Sequence, residues 1–193
     1  MKQRLEELTK EDWDTLFPIE LVPHHPAWKE IYEAERQKIM EALGEQTVLR
    51  IEHFGSTAIP GISAKPYIDI IVEIPKALLF NGEVIEKLSG LGYHYFRQTG
   101  GGADYMIFVK GYCLQGKSEQ VFHIHMASEE NILWHQLAFR DYLRANPARA
   151  KAYEELKKDL ARTYQNDRSG YRIAKSDFIR KTLKMAKGKV RKS

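Results

Sequence analysis

Residues 53–70 read HFGSTAIPGISAKPYIDI, and the fold is worked out from this stretch. Upstream, TVLRIEHF (47–54) is rich in apolar and β-branched residues and reads as a strand that ends at Gly55-Ser56. Two prolines and a glycine in TAIPGISAKP leave room for at most one helical turn before YIDIIVEI (67–74), whose apolar run reads as a largely buried strand. A glycine at 55 lets a phosphate approach the backbone closely, and the next strand then presents Asp69. Side chains alternate along a strand, so Asp69, Ile71 and Glu73 share a face. A carboxylate among apolar neighbours is costly unless it is matched. In a structural role the match would be Lys65, an arginine or loop amides; in a functional one it would be a metal ion.

On the upstream side, Trp28, Ile31, Tyr32, Ile39 and Leu43 recur at helical spacing from Pro26 onward, with Gly44 as the stop and Glu35 inside the apolar stripe. Thr9 and Asp12 form a capping pair for a short helix over 10–17. Downstream, 81–91 reads as a helix closed by Gly92. YHYFRQ and DYMIFVKGY read as strands around Gly100-Gly101-Gly102, and QVFHIHMA as a third strand of a meander. Beyond residue 129 only helices are expected, over 130–145, 147–167 and 170–187, parted at Asn146-Pro147 and Ser169-Gly170. The pattern predicts an α+β protein of one domain (1–193). A mixed β-sheet core with flanking helices would span 20–128, a C-terminal helical subdomain 129–187 and a basic tail 188–193.

His123 and His125 stand at i, i+2 on one strand face, with Phe122, Ile124 and Met126 on the other. Two imidazoles so placed can reach one metal, and Asp69 from another strand would complete a two-His, one-carboxylate set. Such a set also suits a hydrolase or a metal-dependent oxygenase. His53, beside the Gly55-Ser56 turn, is a weaker candidate, and His24, His25, His94 and His135 read as surface or packing residues. Arg140, between Leu137 and Leu143, and Lys175, between Tyr171 and Phe178, are cations within apolar helical stripes. Either they and Glu35 pair with one another, or Arg140 and Lys175 face Ser56 and Asp69 across a cleft and bind an anion. Gly111–Ser118 (GYCLQGKS) matches the triphosphate-loop expression G-x-x-x-x-G-K-[ST], but a strand pattern follows where that loop needs a helix, so it reads as a hairpin turn.

Hydrophobic residues make up 43% of the 193 and charged residues 29%, which excludes a disordered chain, a coiled coil and a collagen-like fibre. The net charge of +4 invites a nucleic-acid reading, yet residues 181–193 hold six Lys/Arg and no acid, leaving 24 basic against 26 acidic residues in 1–180. Such an end reads as a solvated terminus rather than a nucleic-acid arm. Cys113 is the only cysteine, which fits a reducing compartment. No run approaches the roughly 18 apolar residues of a membrane span, and the first residues lack the apolar core of a signal peptide. The expectation is a cytoplasmic protein with no membrane partner.

The run at 53–70, the upstream HPAW with its helix, FHIHM (122–126), FRDYLR (139–144) and the YEELKKDLA…Y…K…FI pattern at 153–179 together resemble the GrpB family over roughly residues 20–185. Members of that family are similar to the nucleotidyltransferase superfold, and related domains occur fused to dephospho-coenzyme A kinase in some bacteria. The resemblance implies a nucleotidyltransferase-like core that binds a nucleotide or other phosphorylated small molecule. In the catalytic version Gly55, Ser56 and nearby amides hold phosphate, Asp69 with His123 and His125 holds a divalent metal, and Lys65, Arg140 and Lys175 offset phosphate charge. The superfold's strand carries a second acid where this chain has Ile71, which weakens two-metal transfer; His123 or His125 in place of the missing ligands would favour zinc or manganese over magnesium. The competing expectation is a non-catalytic ligand-binding or regulatory module.

Overall fold

The structure, a computed structural model, describes residues 4–99 and 104–190. Its centre is a five-stranded mixed sheet of β1 (Arg50–Phe54), β2 (Tyr67–Glu73), β3 (His94–Gln98), β4 (Tyr105–Cys113) and β5 (Gly116–Ala127). The strands lie in the order β1-β2-β5-β4-β3. β3, β4 and β5 form the expected antiparallel meander, and β5 returns to lie parallel to β2. On one face pack α2 (Trp28–Leu43) and α3 (Gly82–Gly90), burying Trp28, Tyr32 and Ile39 against Ile68, Ile70, Val72 and Ile124. The other face carries α1 (Lys10–Leu16), α4 (His135–Arg144), α5 (Pro147–Thr163), α6 (Arg168–Ala174) and α7 (Ser176–Val190). No helix among the described residues is long and apolar enough to cross a membrane.

The Thr9–Asp12 pair is a reciprocal capping box: Asp12 donates its amide to Thr9 Oγ1 (3.2 Å) and Thr9 its amide to Asp12 Oδ2 (2.7 Å). The short helix it starts drives Trp13 and Phe17 against Tyr112, so this segment covers the sheet rather than merely preceding it. Between β1 and β2 the loop holds a single 3-10 turn, Ser56–Ala58. GYCLQGKS is a hairpin between β4 and β5, and the backbone runs on as strand, so no helix N-terminus is there to cradle a triphosphate. Gly111 (φ +89°) sits at its bulge, where a Cβ would lie 2.3 Å from the Gln120 carbonyl.

Three helical expectations change. The segment from 130 opens with a 3-10 turn (Ile132–Trp134) before α4, because Asn131 caps it through the Leu133 amide. The break expected at Ser169-Gly170 falls earlier, since Asp167 caps α6 by accepting from the Gly170 amide at 3.0 Å. The helix expected over 170–187 is two, parted at Lys175, and the second continues to Val190; residues 191–193 and the Gly100–Gly102 turn lie outside the described residues.

Glu35, the acid in the α2 stripe, pairs with neither Arg140 nor Lys175. It accepts from Lys110 of β4, from the Tyr93 hydroxyl (2.9 Å) and from Lys38 (3.4 Å). Burial pushes its carboxyl up, but Lys110, Tyr93 and Lys38 together hold it below 4.5. The stability this pair contributes is therefore fully present above pH 4.5 and is lost as pH falls through the lower native value. Glu35→Ala, which strands the Lys110 ammonium, should cost about 3 kcal/mol in urea unfolding at neutral pH. The gap to the parent chain should narrow on acidification below about pH 4.

Candidate functional site

The strand register builds the floor of a cleft. Asp69 of β2 lies opposite His123 of β5, and Ile71 opposite His125. One ligand atom from each of Asp69, His123 and His125 falls within 4.8 Å of the others. The Asp69 Oδ1–His123 Nδ1 separation is 3.4 Å, and the opposite ring nitrogen, Nε2, lies 2.9 Å from the Tyr112 hydroxyl. Tyr112 also stacks on His123, fixing its plane. His125 is held edge-on by Phe54 and face-on by Tyr105. Its Nδ1 is buried with no hydrogen-bond partner among the described residues, as suits a metal-binding nitrogen. Burial lowers the His125 pKa to about 4 and that of His123 as well, so both rings are neutral. Burial also opposes ionisation of Asp69, but the His123 hydrogen bond and the Lys65 charge hold its pKa below 3.8. One carboxylate and two neutral imidazoles are a fitting donor set for a divalent ion.

Gly55 belongs to this floor for a reason besides phosphate approach. With φ +71° it follows Phe54, the cross-strand neighbour of Asp69, and a Cβ there would stand 2.2 Å from Asp69 Oδ2. Ser56 opens the 3-10 turn beside it. Burial pushes the Tyr153 phenol up to about 12, offset in part by its hydrogen bond with Ser56, so it remains a protonated donor.

The cleft over this floor has a volume of about 640 Å³, and its walls present Lys65, Lys157, Arg168, Arg172 and Lys175 against the single acid Asp69. Lys65 lies over the Tyr67 ring and Lys175 over the Tyr171 ring. Lys157 of α5, only 1% exposed, donates to the Ser63 carbonyl. Arg168 donates to the Phe17 carbonyl at 2.9 Å. Burial, together with the Lys175 charge, brings Lys157 down to about 7. Burial brings Lys175 down to about 8, with Asp69 resisting and Arg172 assisting the shift.

Of the residues singled out from the sequence, Gly55, Ser56, Lys65, Asp69, His123, His125 and Lys175 line the cleft together. Arg140 does not, which corrects its expected role as an anion contact. Its guanidinium bonds Glu52 (2.9 Å), Asp141 (2.7 Å) and the His53 carbonyl (2.6 Å), tying α4 to β1. His53 is buried, stacks under Tyr32 and bonds Thr57 Oγ1 at 3.0 Å, a packing role. Lys157, Arg168 and Arg172 were not anticipated. Lys157 follows Tyr153 by one helical turn, the same signal that drew attention to Lys175, whereas Arg168 and Arg172 carry no such mark.

A mixed sheet that sets a Gly-Ser turn against a strand carboxylate, backed by a helical C-terminal part, defines an α+β protein. The chain belongs to the GrpB family, whose model, described as GrpB protein, matches residues 18–185. It is 38% identical to the glutamate-rich protein GrpB of Alkalihalophilus pseudofirmus, over 84% of this chain and 92% of that one. It is also 38% identical to a UPF0157 protein of Pseudomonas aeruginosa, over 86% of this chain, and spans 66% of that relative's length. The crystal structure of the conserved protein GrpB from Enterococcus faecalis superposes with a TM-score of 0.75 at 32% identity, covering 89% of this chain and 99% of that one. The kinase link also appears: 82 residues, 39% of this chain, match 19% of a dephospho-CoA kinase of Mycolicibacterium paratuberculosis at 37% identity.

The Gly55–Asp69 approach is testable by a double-mutant cycle. Gly55→Ala should lower stability by about 2 kcal/mol in chemical denaturation, from strained backbone and steric overlap. The same change should cost measurably less in an Asp69→Ala background, where the overlapping carboxylate is gone. Equal costs in both backgrounds would show that Asp69 is not what the glycine accommodates.

Proposed function

We propose that the cleft binds one divalent metal ion on Asp69, His123 and His125 and, over it, the phosphate groups of a nucleotide or phosphorylated small molecule. The observation that carries this reading is the charge layout: a carboxylate and two neutral imidazoles beneath five cations, in a cleft with one acid. Lysines brought down to about 7 and 8 by burial become fully charged when an anion arrives, so the cleft is built to be completed by one. Two imidazole donors favour zinc or manganese over magnesium. Gly55, Ser56 and the amides of its turn hold phosphate beside the ion, while Lys65, Lys157 and Lys175 offset its charge. A bound metal would supply Lewis-acid polarisation of the α-phosphoryl oxygen of a nucleoside triphosphate, and the site would then support nucleotidyl transfer, in which an acceptor hydroxyl loses its proton, bonds the α-phosphorus and displaces pyrophosphate. The lone Cys113 suits a cytoplasmic setting for this chemistry.

A second reading, a binding module without turnover, is favoured by Ile71. That side chain is fully buried against Phe54 and Leu137, so the acid of a two-ion site is replaced by packing. The readings part on turnover: pyrophosphate release from any nucleoside triphosphate supports transfer, and metal-dependent stabilisation by nucleotide without release supports the module.

Metal analysis of the purified chain should give about one divalent ion, lost in Asp69→Ala and in His125→Ala. Unaltered metal content in both variants would falsify the proposed site. Affinity for a phosphorylated ligand should fall as pH rises from about 7 to 9, because Lys157 and Lys175 deprotonate across that window. Titration calorimetry in buffers of different ionisation enthalpy should show net proton uptake on binding at about pH 8. Proton release there would contradict the lysine assignment.

A further inference from the structure

Beside the cleft, along α7, runs a groove of about 440 Å³ with a different character. Arg172, Arg180, Lys184 and Lys187 give it four cations and no carboxylate, and Ile179 and Leu183 give it apolar contact surface. Gln136, Arg172 and Ile179 line both spaces, so these side chains form the sill between them. Arg180, Lys184 and Lys187 stand at i, i+4 and i+7, one helix face about 10 Å long. Arg180 bonds Asp177 at 2.6 Å, and Lys181, outside the groove, takes the other oxygen of the same carboxylate. Arg172, Lys184 and Lys187 make no ion pair among the described residues. Like charges a turn apart on one face repel, so this row opposes the helix that carries it until an anion lies along it.

We infer that the ligand is longer than the cleft: its polyphosphate chain starts over the floor and crosses the sill to the Lys184–Lys187 row. A terminal nucleoside lies on Ile179 and Leu183. The chemical class is a dinucleoside polyphosphate. This rests on the proposed phosphate reading of the cleft but adds a site outside it. A mononucleotide engages only the cleft, whereas a two-ended ligand gains the groove's cations as well.

The test uses the full chain loaded with manganese and two probes, adenosine monophosphate and diadenosine tetraphosphate, titrated calorimetrically. Diadenosine tetraphosphate should bind about tenfold tighter or more, given several added cation–phosphate contacts. The exposed charge-reversal pair Lys184→Glu/Lys187→Glu should erase that advantage and leave the monophosphate affinity unchanged. Lys184→Ala/Lys187→Ala should reduce it part-way, with neither variant melting below the parent. Equal affinities for the two probes in the parent chain, or equal losses for both in the charge-reversal variant, overturn the inference while leaving the cleft reading standing. If neither probe binds, both fall. A single strand of about ten nucleotides that binds tighter than diadenosine tetraphosphate, with a steep salt dependence, assigns the groove to nucleic acid instead and overturns the small-ligand form.

Discussion

The parallel pairing of β2 with β5 is the constraint on which the rest of the structure depends. Parallel neighbours need a long crossover, and here α3, β3 and β4 supply it, leaving β2 and β5 at the sheet centre with both faces covered. The register then decides the chemistry. Asp69 falls opposite His123, and the alternation that turns Ile68, Ile70, Phe122 and Ile124 to the α2 side turns Asp69, His123 and His125 to the other. A slip of one residue would send the three polar groups into the apolar core and three apolar side chains into the cleft. Polar groups at the centre of a covered sheet are expensive, and their environment shows the cost being met. His125 is neutral, Asp69 is held ionised by His123 and nearby cations, and Tyr112 occupies the far nitrogen of His123.

The roof is as dependent on distant contacts as the floor. Arg168 enters the cleft because its own amide donates to Asp14 and its guanidinium to the Phe17 carbonyl, while Ile19 bonds the Gln165 carbonyl. The N-terminal helix thereby fastens the start of α6 over the floor. The break at Lys175 lets α6 contribute Tyr171 and Arg172, and α7 contribute Ile179, to one wall. Glu154, accepting from the Ser63 amide at 2.8 Å, and Lys157, donating to the Ser63 carbonyl, clamp α5 to the loop that carries Lys65. Floor and roof are thus joined by hydrogen bonds between segments far apart in the chain.

That separation explains what could be read beforehand. The HFGSTAIPGISAKPYIDI and FHIHM runs announce themselves because strand alternation is local: the residue at i and the residue at i+2 share a face whatever the fold. The Thr9–Asp12 cap is legible for the same reason, since its bonds close within one turn. Arg140 misled because its stripe shows burial but not the partner, and Glu52 on β1 lies 88 positions away. Arg168 and Arg172 look like ordinary helix-surface cations until the N-terminal segment and the sheet supply the other walls. Lys157 was the accessible omission, placed one turn after Tyr153 in a motif already recognised. The split at Lys175 has no proline or glycine to mark it.

Ile71 shows how far the one-acid character is built in. Its side chain is fully buried in a cluster with Phe54 and Leu137, flanked by Leu133 and Trp134, and its cross-strand neighbours are Glu52 and His125. An acid there would face apolar side chains from β1 and α4, and its ionised form would meet the full desolvation penalty. An acid at residue 71 would therefore require the α4 packing to change with it. On the proposed reading, a divalent ion on Asp69 would keep a unit of positive charge. The cations above would add to that surplus, so charge balance in the cleft would have to come from the ligand. Such a site would favour phosphate-rich molecules by electrostatics before any specific contact is made and would repel a cationic one.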